Sequence, residues 1–180
     1  TVVGADRRIE PTEPSLFTDY VMTDLADGIK TTTLIRDSKP DLIFHLAGVG
    51  SGTILSMFEV HVIGTIQLLE AVRLHAPAAK ILLVGSAAEY GLVEPESLPI
   101  NEQQVCKPCG AYAISKYAMT MTGLEYARRF GLKVVIARPF NIVGAYVPTN
   151  LVVGALIERI RQAIEKDGCR TVLVGNLDTE

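Results

Sequence analysis

The chain has 180 residues, of which 48% are hydrophobic and 21% charged, and its formal net charge is -3 at pH 7. This length and composition suit one domain with a sizeable core. The slightly acidic balance, without basic blocks, argues against a nucleic-acid partner, and no apolar run approaches the ~18 residues that a membrane span needs.

The first segment, Thr1-Val-Val-Gly-Ala-Asp-Arg-Arg, is too short and too soon charged for a signal peptide. Three cysteines, an odd number, fit a reducing compartment, and we expect a cytoplasmic protein. Cys106 and Cys109 form a Cys-x-x-Cys pattern, but Cys169 is the only other cysteine and the histidines lie in unrelated segments. We therefore expect a coincidental spacing and no metal site.

Apolar strand-like runs alternate with amphipathic helical segments along the chain. The predicted strands lie near 1–6, 20–23, 41–46, 80–86, 132–138 and 170–174, and the predicted helices near 28–38, 55–74, 111–130 and 150–167. This alternation indicates right-handed βαβ crossovers. The predicted fold is α/β, a Rossmann-like doubly wound parallel sheet with helices on both faces.

A dinucleotide-binding fold normally opens with a strand, a Gly-rich turn and a helix whose N-terminus holds the pyrophosphate. This chain opens with what reads as the second strand, so we expect the usual first strand and helix to be lacking. In the usual order that strand is central, and both neighbouring strand edges should therefore be exposed. We interpret the chain as an internal piece of a longer enzyme or a truncated product, with weak coenzyme binding of its own.

Tyr112 and Lys116 lie four residues apart in a predicted helix and so share one face of it. A nearby ammonium favours the charged form of a phenol, which would make Tyr112 a general acid or base. Such a pair alone is weak, because helices carry it by chance on solvated faces. Ser86 adds to it, because this residue ends a predicted buried strand, where open α/β sheets bind ligands.

The segments Ser86-Ala-Ala-Glu-Tyr-Gly91, Tyr112-x-x-x-Lys116 and Arg138-Pro-Phe-Asn141 together resemble the extended short-chain dehydrogenase/reductases, the NAD-dependent epimerase/dehydratase family. Within it, the resemblance is greatest to the branch of GDP-6-deoxy-4-keto-mannose reductases and GDP-mannose 4,6-dehydratases. The resemblance implies a catalytic triad of Ser86, Tyr112 and Lys116, a nucleotide-sugar substrate, and NAD or NADP as coenzyme. It further implies a partial NAD(P)-binding domain over 1–180, in which the substrate-binding part begins near 141–180.

The resemblance also implies which residues contact the coenzyme. They are Asp6, Arg7, Asp24, Leu25, Leu46, Ala47, Gly48 and Pro139, in addition to Tyr112 and Lys116. Asp6 favours a free ribose 2′-hydroxyl and hence NAD, whereas Arg7 and Arg8 favour the 2′-phosphate of NADP. The alternative for Asp6 is a solvated turn, and for Asp24 a helix-capping turn. Gly48 begins a Gly-x-Gly-x-Gly segment that also suits a flexible loop.

Ser86, Asn141 and Asn150 are the expected substrate-binding residues. Asn141 and Asn150 lie nine residues apart around a loop, and amides beside a helix start suit a diphosphate. Relatives that use GDP-sugars place asparagines at both positions, while helix capping is the alternative for Asn150. The helices near 55–74 and 111–130 carry apolar residues on more than one side, and relatives form homodimers through such helices, so we expect a homodimer.

The chain departs from the family at two places. His61 replaces the asparagine of an Asn-x-x-Gly-Thr pattern, and we assign it no role. Ala87 and Ala88 stand where dehydratases carry acid/base groups, and Glu89 comes one place late on a segment read as extended, so its side chain should point elsewhere. The predicted reaction is therefore reduction of a 4-keto-6-deoxy sugar nucleotide, GDP-linked, by NAD(P)H; the alternatives are a 4-epimerase and a non-catalytic remnant that binds partners.

Overall fold

The computed structural model describes residues 1–11, 13–144, 147–149, 151–167, 172 and 174. It divides into two compact units, Thr1–Phe140 and Asn141–Glu180. The first unit contains five strands and four α-helices among its described residues: β1 Val3–Asp6, β2 Asp19–Met22, α1 Gly28–Ser38, β3 Leu42–His45, α2 Ile54–Phe58, α3 Gly64–His75, β4 Lys80–Val84, α4 Ala111–Phe130 and β5 Lys133–Ala137.

The strands are all parallel and fall into two hydrogen-bonded groups. β1 pairs with β2, with Val3 opposite Asp19, and β4 lies between β3 and β5 in a three-stranded sheet. Among the described residues no ladder joins β1 to β3, so one edge of each is open. Phe44 on β3 is 59% exposed. The open edges agree with the expectation that the central first strand of the usual order is lacking.

Helix α1 shows why the predicted bounds of the helices were accurate. The carboxylate of Asp27 accepts hydrogen bonds from the backbone N–H groups of Ile29 and Lys30, which satisfies donors that a helix start leaves free. The helix ends where Lys39 adopts a left-handed conformation with φ 43°, and Pro40 follows. A local sequence signal therefore fixes both ends.

The predicted helix near 55–74 is interrupted. A π-helical turn, Glu59–Ile63, separates α2 from α3, and the Thr65 hydroxyl donates to the carbonyl of His61 at 2.6 Å. By length and composition alone Ile54–His75 would suffice to cross a membrane. Its buried side chains, however, pack on the sheet as part of the core, which is the ordinary arrangement of a core helix.

The core lies between α3 and the three-stranded sheet. Its buried members are Ile35, Leu68, Leu69, Ala71, Val72, Ala79, Ile81, Leu83 and Leu132. Helix α4 covers the same sheet and approaches it closely at Gly123, where a Cβ atom would collide with the side chain of Leu83. The glycine therefore sets the distance between helix and sheet.

The second unit contains helix α5, Val152–Asp167, close to the predicted 150–167. Arg161 forms ion pairs with Glu158 and Glu165 on its polar side. Ile157, Ile160 and Ile164 are exposed on the other side. The predicted strand near 170–174 lies largely outside the described residues.

Candidate active site

The predicted site residues of the first unit lie at the carboxyl ends of their strands or on α4. Asp6 ends β1, Gly48 follows β3, Ser86 follows β4 and Pro139 follows β5. The carboxyl ends of parallel strands are where open α/β sheets bind ligands. Pro139 and the Ser86 segment are also joined directly, because the carbonyl of Pro139 accepts a hydrogen bond from Ala87 N at 3.0 Å.

Lys116 connects α4 to β4, the strand that precedes Ser86. Its Nζ donates to the carbonyl of Val84 at 2.9 Å, and the residue is 5% exposed. Burial lowers the pKa of Lys116 from its usual value, and the carboxylate of Glu89 opposes that shift. The hydrogen bond places the end of β4 against the Tyr112–Lys116 face of α4.

Tyr112, His61, Lys116 and Gly48 lie together. The rings of Tyr112 and His61 meet edge to face with centroids 5.7 Å apart. A Cβ atom on Gly48 would lie 3.2 Å from Lys116 Nζ and 3.3 Å from His61 Nε2. The loop after β3 can approach this closely because position 48 has no side chain.

Ser86 caps a short 3-10 helix, Ala87–Tyr90, rather than ending a strand. Its Oγ accepts from Ala88 N at 3.2 Å, and its own N–H donates to Glu89 Oε1 at 2.9 Å, which together form a capping box. The expectation that this segment is extended was therefore wrong, because the Ser-x-x-Glu pattern favours a helical turn. The Ser86 hydroxyl hydrogen is not used by the cap and can be donated.

Glu89 is fully buried and forms an ion pair with Arg138, with Oε2 and Nε 2.8 Å apart. Burial acts to lower the pKa of Arg138, but hydrogen bonds to Glu89 and Tyr90 raise it above its usual value. Both carboxylate oxygens of Glu89 are thus occupied. Glu89 does not supply the missing acid/base group, and the reason is this pairing rather than the direction of an extended segment.

A cavity of about 240 Å³ lies beside the ends of β1 and β2. It is lined by Arg7, Met22, Thr23, Asp24 and Lys30. Thr23 is buried, and its hydroxyl has no hydrogen-bond partner within the described part of the chain. Two cationic side chains and one carboxylate thus give this surface cavity a charged lining. The neighbouring Asp6 accepts from Arg8 N at 3.1 Å, and Leu25 packs against Gly64.

The whole chain, residues 1–180, matches the NAD dependent epimerase/dehydratase family. The chain belongs to this family.

Among members of the epimerase/dehydratase family, the chain is 28% identical over 144 residues to GDP-6-deoxy-D-mannose reductase of Pseudomonas aeruginosa, which covers 77% of the chain and 47% of that protein. It is 32% identical over 139 residues to UDP-glucose 4-epimerase of Mycoplasma genitalium, covering 72% of the chain and 40% of that protein. The chain thus spans about half the length of these curated relatives or less.

The structure of UDP-glucose 4-epimerase from Thermotoga maritima superposes with a TM-score of 0.81 at 22% identity, over 90% of the chain and 55% of that protein. The predicted Rossmann-like fold is therefore confirmed.

The other predicted coenzyme- and substrate-binding residues that the structure describes lie in loops. Leu46 and Ala47 lie in the loop after β3, and Leu46 is 69% exposed. Asn141 is exposed in the second unit, and Asn150 lies outside the described residues.

Cys106 and Cys109 are free thiols. The described segments contain no group of three or more His, Cys, Asp or Glu side chains that could hold a metal ion.

Sequence reasoning missed two features of the site. One is the Glu89–Arg138 pair beneath Ser86, although the Ser-x-x-Glu pattern that predicts a capping box was visible in the sequence. The other is His61, which is fully buried beside Tyr112. A lone histidine on a helix carries no local signal for such a position.

Proposed function

We propose that the chain is part of a nucleotide-sugar oxidoreductase that reduces the C4 ketone of a GDP-linked 6-deoxy sugar with NAD(P)H. The observation that carries this proposal is the hydrogen bond between Lys116 Nζ and the Val84 carbonyl. It joins the helix that bears Tyr112 to the end of β4, just before Ser86. This contact supports a site in which a proton donor, a hydroxyl donor and a cation act together at the carboxyl ends of the strands, where open α/β sheets bind ligands.

The chain's own groups have complementary tasks in this reaction. A bound nicotinamide coenzyme supplies hydride to the ketone carbon. Tyr112 donates its phenolic proton to the C4 oxygen, and Ser86 donates a hydrogen bond to the same oxygen as negative charge develops on it. Lys116 would stabilise the phenolate left on Tyr112 and would help to hold the nicotinamide ribose of a bound coenzyme. The hydride and the proton together convert the ketone into an alcohol.

Coenzyme binding is proposed for Asp6, Arg7, Asp24, Leu25, Leu46, Ala47, Gly48 and Pro139. The cavity beside Arg7 and Asp24 supports the adenosine end, and the close approach of Gly48 to Lys116 supports the nicotinamide end. Substrate binding is proposed for Ser86, Asn141 and Asn150. Both NAD and NADP remain compatible with a site that contains an aspartate and cationic side chains.

Dehydration is disfavoured by the residues that follow Ser86. Elimination of water requires acid and base groups in addition to the triad, and the methyl side chains of Ala87 and Ala88 cannot transfer protons. Glu89 is committed to Arg138 and the Ser86 N–H. The GDP-linked sugar is supported by the similarity to the Pseudomonas reductase.

A 4-epimerase is the second candidate. The similarity to the Mycoplasma UDP-glucose 4-epimerase favours it at 32% identity, and the same three groups would serve it. Tyr112 would first accept the proton of a C4 hydroxyl and later return it. The two reactions thus differ in the direction of the first transfer rather than in the residues that perform it.

We further propose a cytoplasmic homodimer formed through exposed apolar side chains of the helical segments near 55–74 and 111–130, which are α2 to α3 and α4. The apolar side chains involved are Ile54, Leu55, Ile114, Met121 and Leu124, all of which are exposed. Two such helices from each subunit make a four-helix interface.

Three incubations of the full-length protein test the proposed reaction. With a GDP-4-keto-6-deoxy sugar and NADPH or NADH we expect coenzyme oxidation and an alcohol product. With GDP-mannose and NADP we expect no 4-keto-6-deoxy product by mass spectrometry, and its steady formation would contradict the exclusion of dehydration. Interconversion of C4 epimers without net coenzyme consumption would select the epimerase. Tyr112→Phe should abolish turnover while coenzyme binding is retained, because only the transferable proton is lost.

A further inference from the structure

Both ring nitrogens of His61 are engaged in hydrogen bonds inside the protein. Nε2 lies 3.0 Å from Val49 N, and Nδ1 lies 2.8 Å from Ser115 Oγ. A backbone N–H can only donate, so Nε2 must accept and carries no hydrogen. The hydrogen therefore resides on Nδ1 and is donated to Ser115 Oγ. Ser115 in turn donates to the carbonyl of Tyr112 at 2.9 Å. These partners define a single neutral tautomer.

The two partners belong to segments that approach the site from different directions. Val49 follows Gly48 in the loop after β3, whereas Ser115 lies between Tyr112 and Lys116 on α4. The imidazole is thus a two-point connection between the loop and the helix. His61 is 0% exposed, and a Cβ atom on Gly48 would approach both its Nε2 and Lys116 Nζ. The imidazole ring therefore has little space in which to adopt another orientation.

The connection requires the neutral ring, because a second hydrogen on Nε2 would point at the Val49 N–H. The titratable groups that face His61 are Lys116 and Tyr112 on α4 and His45 on β3. Burial and the neighbouring Lys116 lower the pKa of His61 to about 4. The charge on Lys116 therefore favours the neutral ring, and the Val49 N–H selects its tautomer.

We propose that His61 is a positioning residue that fixes the loop at Gly48 and Val49 against the Tyr112–Lys116 face of α4 through its neutral Nδ1–H form. His61 lies within the π-helical turn Glu59–Ile63, and such turns are frequent at functional sites. The proposal rests on the proposed function, in which the loop contacts the nicotinamide end of the coenzyme. It adds a residue that controls how precisely Tyr112 meets its substrate.

Two substitutions test the two hydrogen bonds of His61 separately. A glutamine amide reaches the place of Nε2 and an asparagine amide the place of Nδ1, so His61→Gln keeps the bond to Val49 and His61→Asn keeps the bond to Ser115. His61→Phe fills the space and removes both bonds. In the full-length protein we expect kcat to fall about tenfold or more in His61→Phe, since misplacement near the reacting atoms lowers turnover steeply. The KM for the nucleotide sugar should change little. His61→Gln should recover most of the lost kcat, and His61→Asn should recover less.

Nuclear magnetic resonance tests the connection without any turnover. The chain has three histidines, so selective nitrogen-15 labelling gives few signals, which His61→Asn assigns. We expect His61 to be the neutral Nδ1–H tautomer at about pH 7, where a free imidazole is partly charged. We also expect hydrogen exchange at the Val49 amide to accelerate about tenfold in His61→Asn but not in His61→Gln.

An Nε2–H tautomer or an imidazolium at neutral pH would overturn the proposal. So would wild-type kcat in a folded His61→Phe, with folding checked by near-ultraviolet circular dichroism. If the wild-type protein converts no nucleotide sugar, the proposed function fails, but the tautomer and the Val49 exchange rates still decide whether His61 joins the loop to the helix.

Discussion

Glu89 and Arg138 form an ion pair at 2.8 Å in which the carboxylate is fully buried and the guanidinium is 18% exposed. They lie 49 residues apart, on the turn after β4 and at the end of β5. The carboxylate also accepts from Ser86 N, and the guanidinium lies over the ring of Tyr90 at 5.2 Å. The pair thus holds the backbone N–H of Ser86, the proposed catalytic serine, through the Glu89 carboxylate.

Removing one member of this pair should be strongly destabilising. Glu89→Ala leaves the Arg138 cation without its partner in a mostly buried place, and breaking a buried pair costs about 3–5 kcal/mol of unfolding free energy. Urea denaturation measures the change. Glu125→Ala is the matched control, because Glu125 pairs with Arg128 on the exposed side of α4 and should have little effect. Equal effects from the two substitutions would show that the buried pair is not stabilising.

Gly123→Ala should lower stability even though alanine is the better helix former. The new methyl group would collide with Leu83, which is 0% exposed and has no room to move. Overpacking typically costs ~1–3 kcal/mol, against a gain of up to about 1 kcal/mol from helix propensity. Thermal and urea unfolding should both show a net loss. A stabilised variant would mean that α4 can shift away from the sheet without cost.

Stability should fall as the pH drops from about 6.5 towards about 4, partly because of His45. Burial, with smaller contributions from Lys116 and His61, lowers the pKa of His45 to about 4. Its ring nitrogen Nε2 is hydrogen-bonded to the Thr65 hydroxyl at 2.8 Å. In this range the unfolded chain binds a proton that the folded chain does not, so each such histidine lowers the unfolding free energy by about 1.4 kcal/mol per pH unit.

Unfolding free energies measured at several pH values should therefore show a shallower acid slope in His45→Gln than in the wild type. His75→Gln is the matched control, because it removes an exposed histidine at the end of α3. An unchanged slope in His45→Gln would indicate that the His45 ring is charged when folded.

Leu124→Glu should convert the proposed dimer into a monomer. Leu124 is 44% exposed on α4, beside the other exposed apolar side chains of that helix, and a carboxylate there would have to be desolvated in an interface. Light scattering at tens of micromolar measures the mass. Ile29→Glu serves as the control, since Ile29 is 83% exposed on α1, outside the proposed interface. A wild-type monomer at this concentration would refute the dimer.

Short-range signals in the sequence determined most of the elements. The apolar runs of the strands and the alternation of strand and helix predicted five described strands and the bounds of α1, α4 and α5 to within a few residues. The proposed triad of Ser86, Tyr112 and Lys116 was also predicted, from the family resemblance and from the helical spacing of Tyr112 and Lys116. These features depend on residues close together in the chain.

The tertiary structure alone decided which distant polar groups are partners. Glu89 could have faced the substrate, but the fold places Arg138 beside it. His61 had no assignable role until the loop after β3 and Ser115 on α4 were brought to its two nitrogens. Local patterns do not encode such contacts, because a buried polar group takes whichever partner the topology delivers, across 49 residues for Glu89 and 54 for His61.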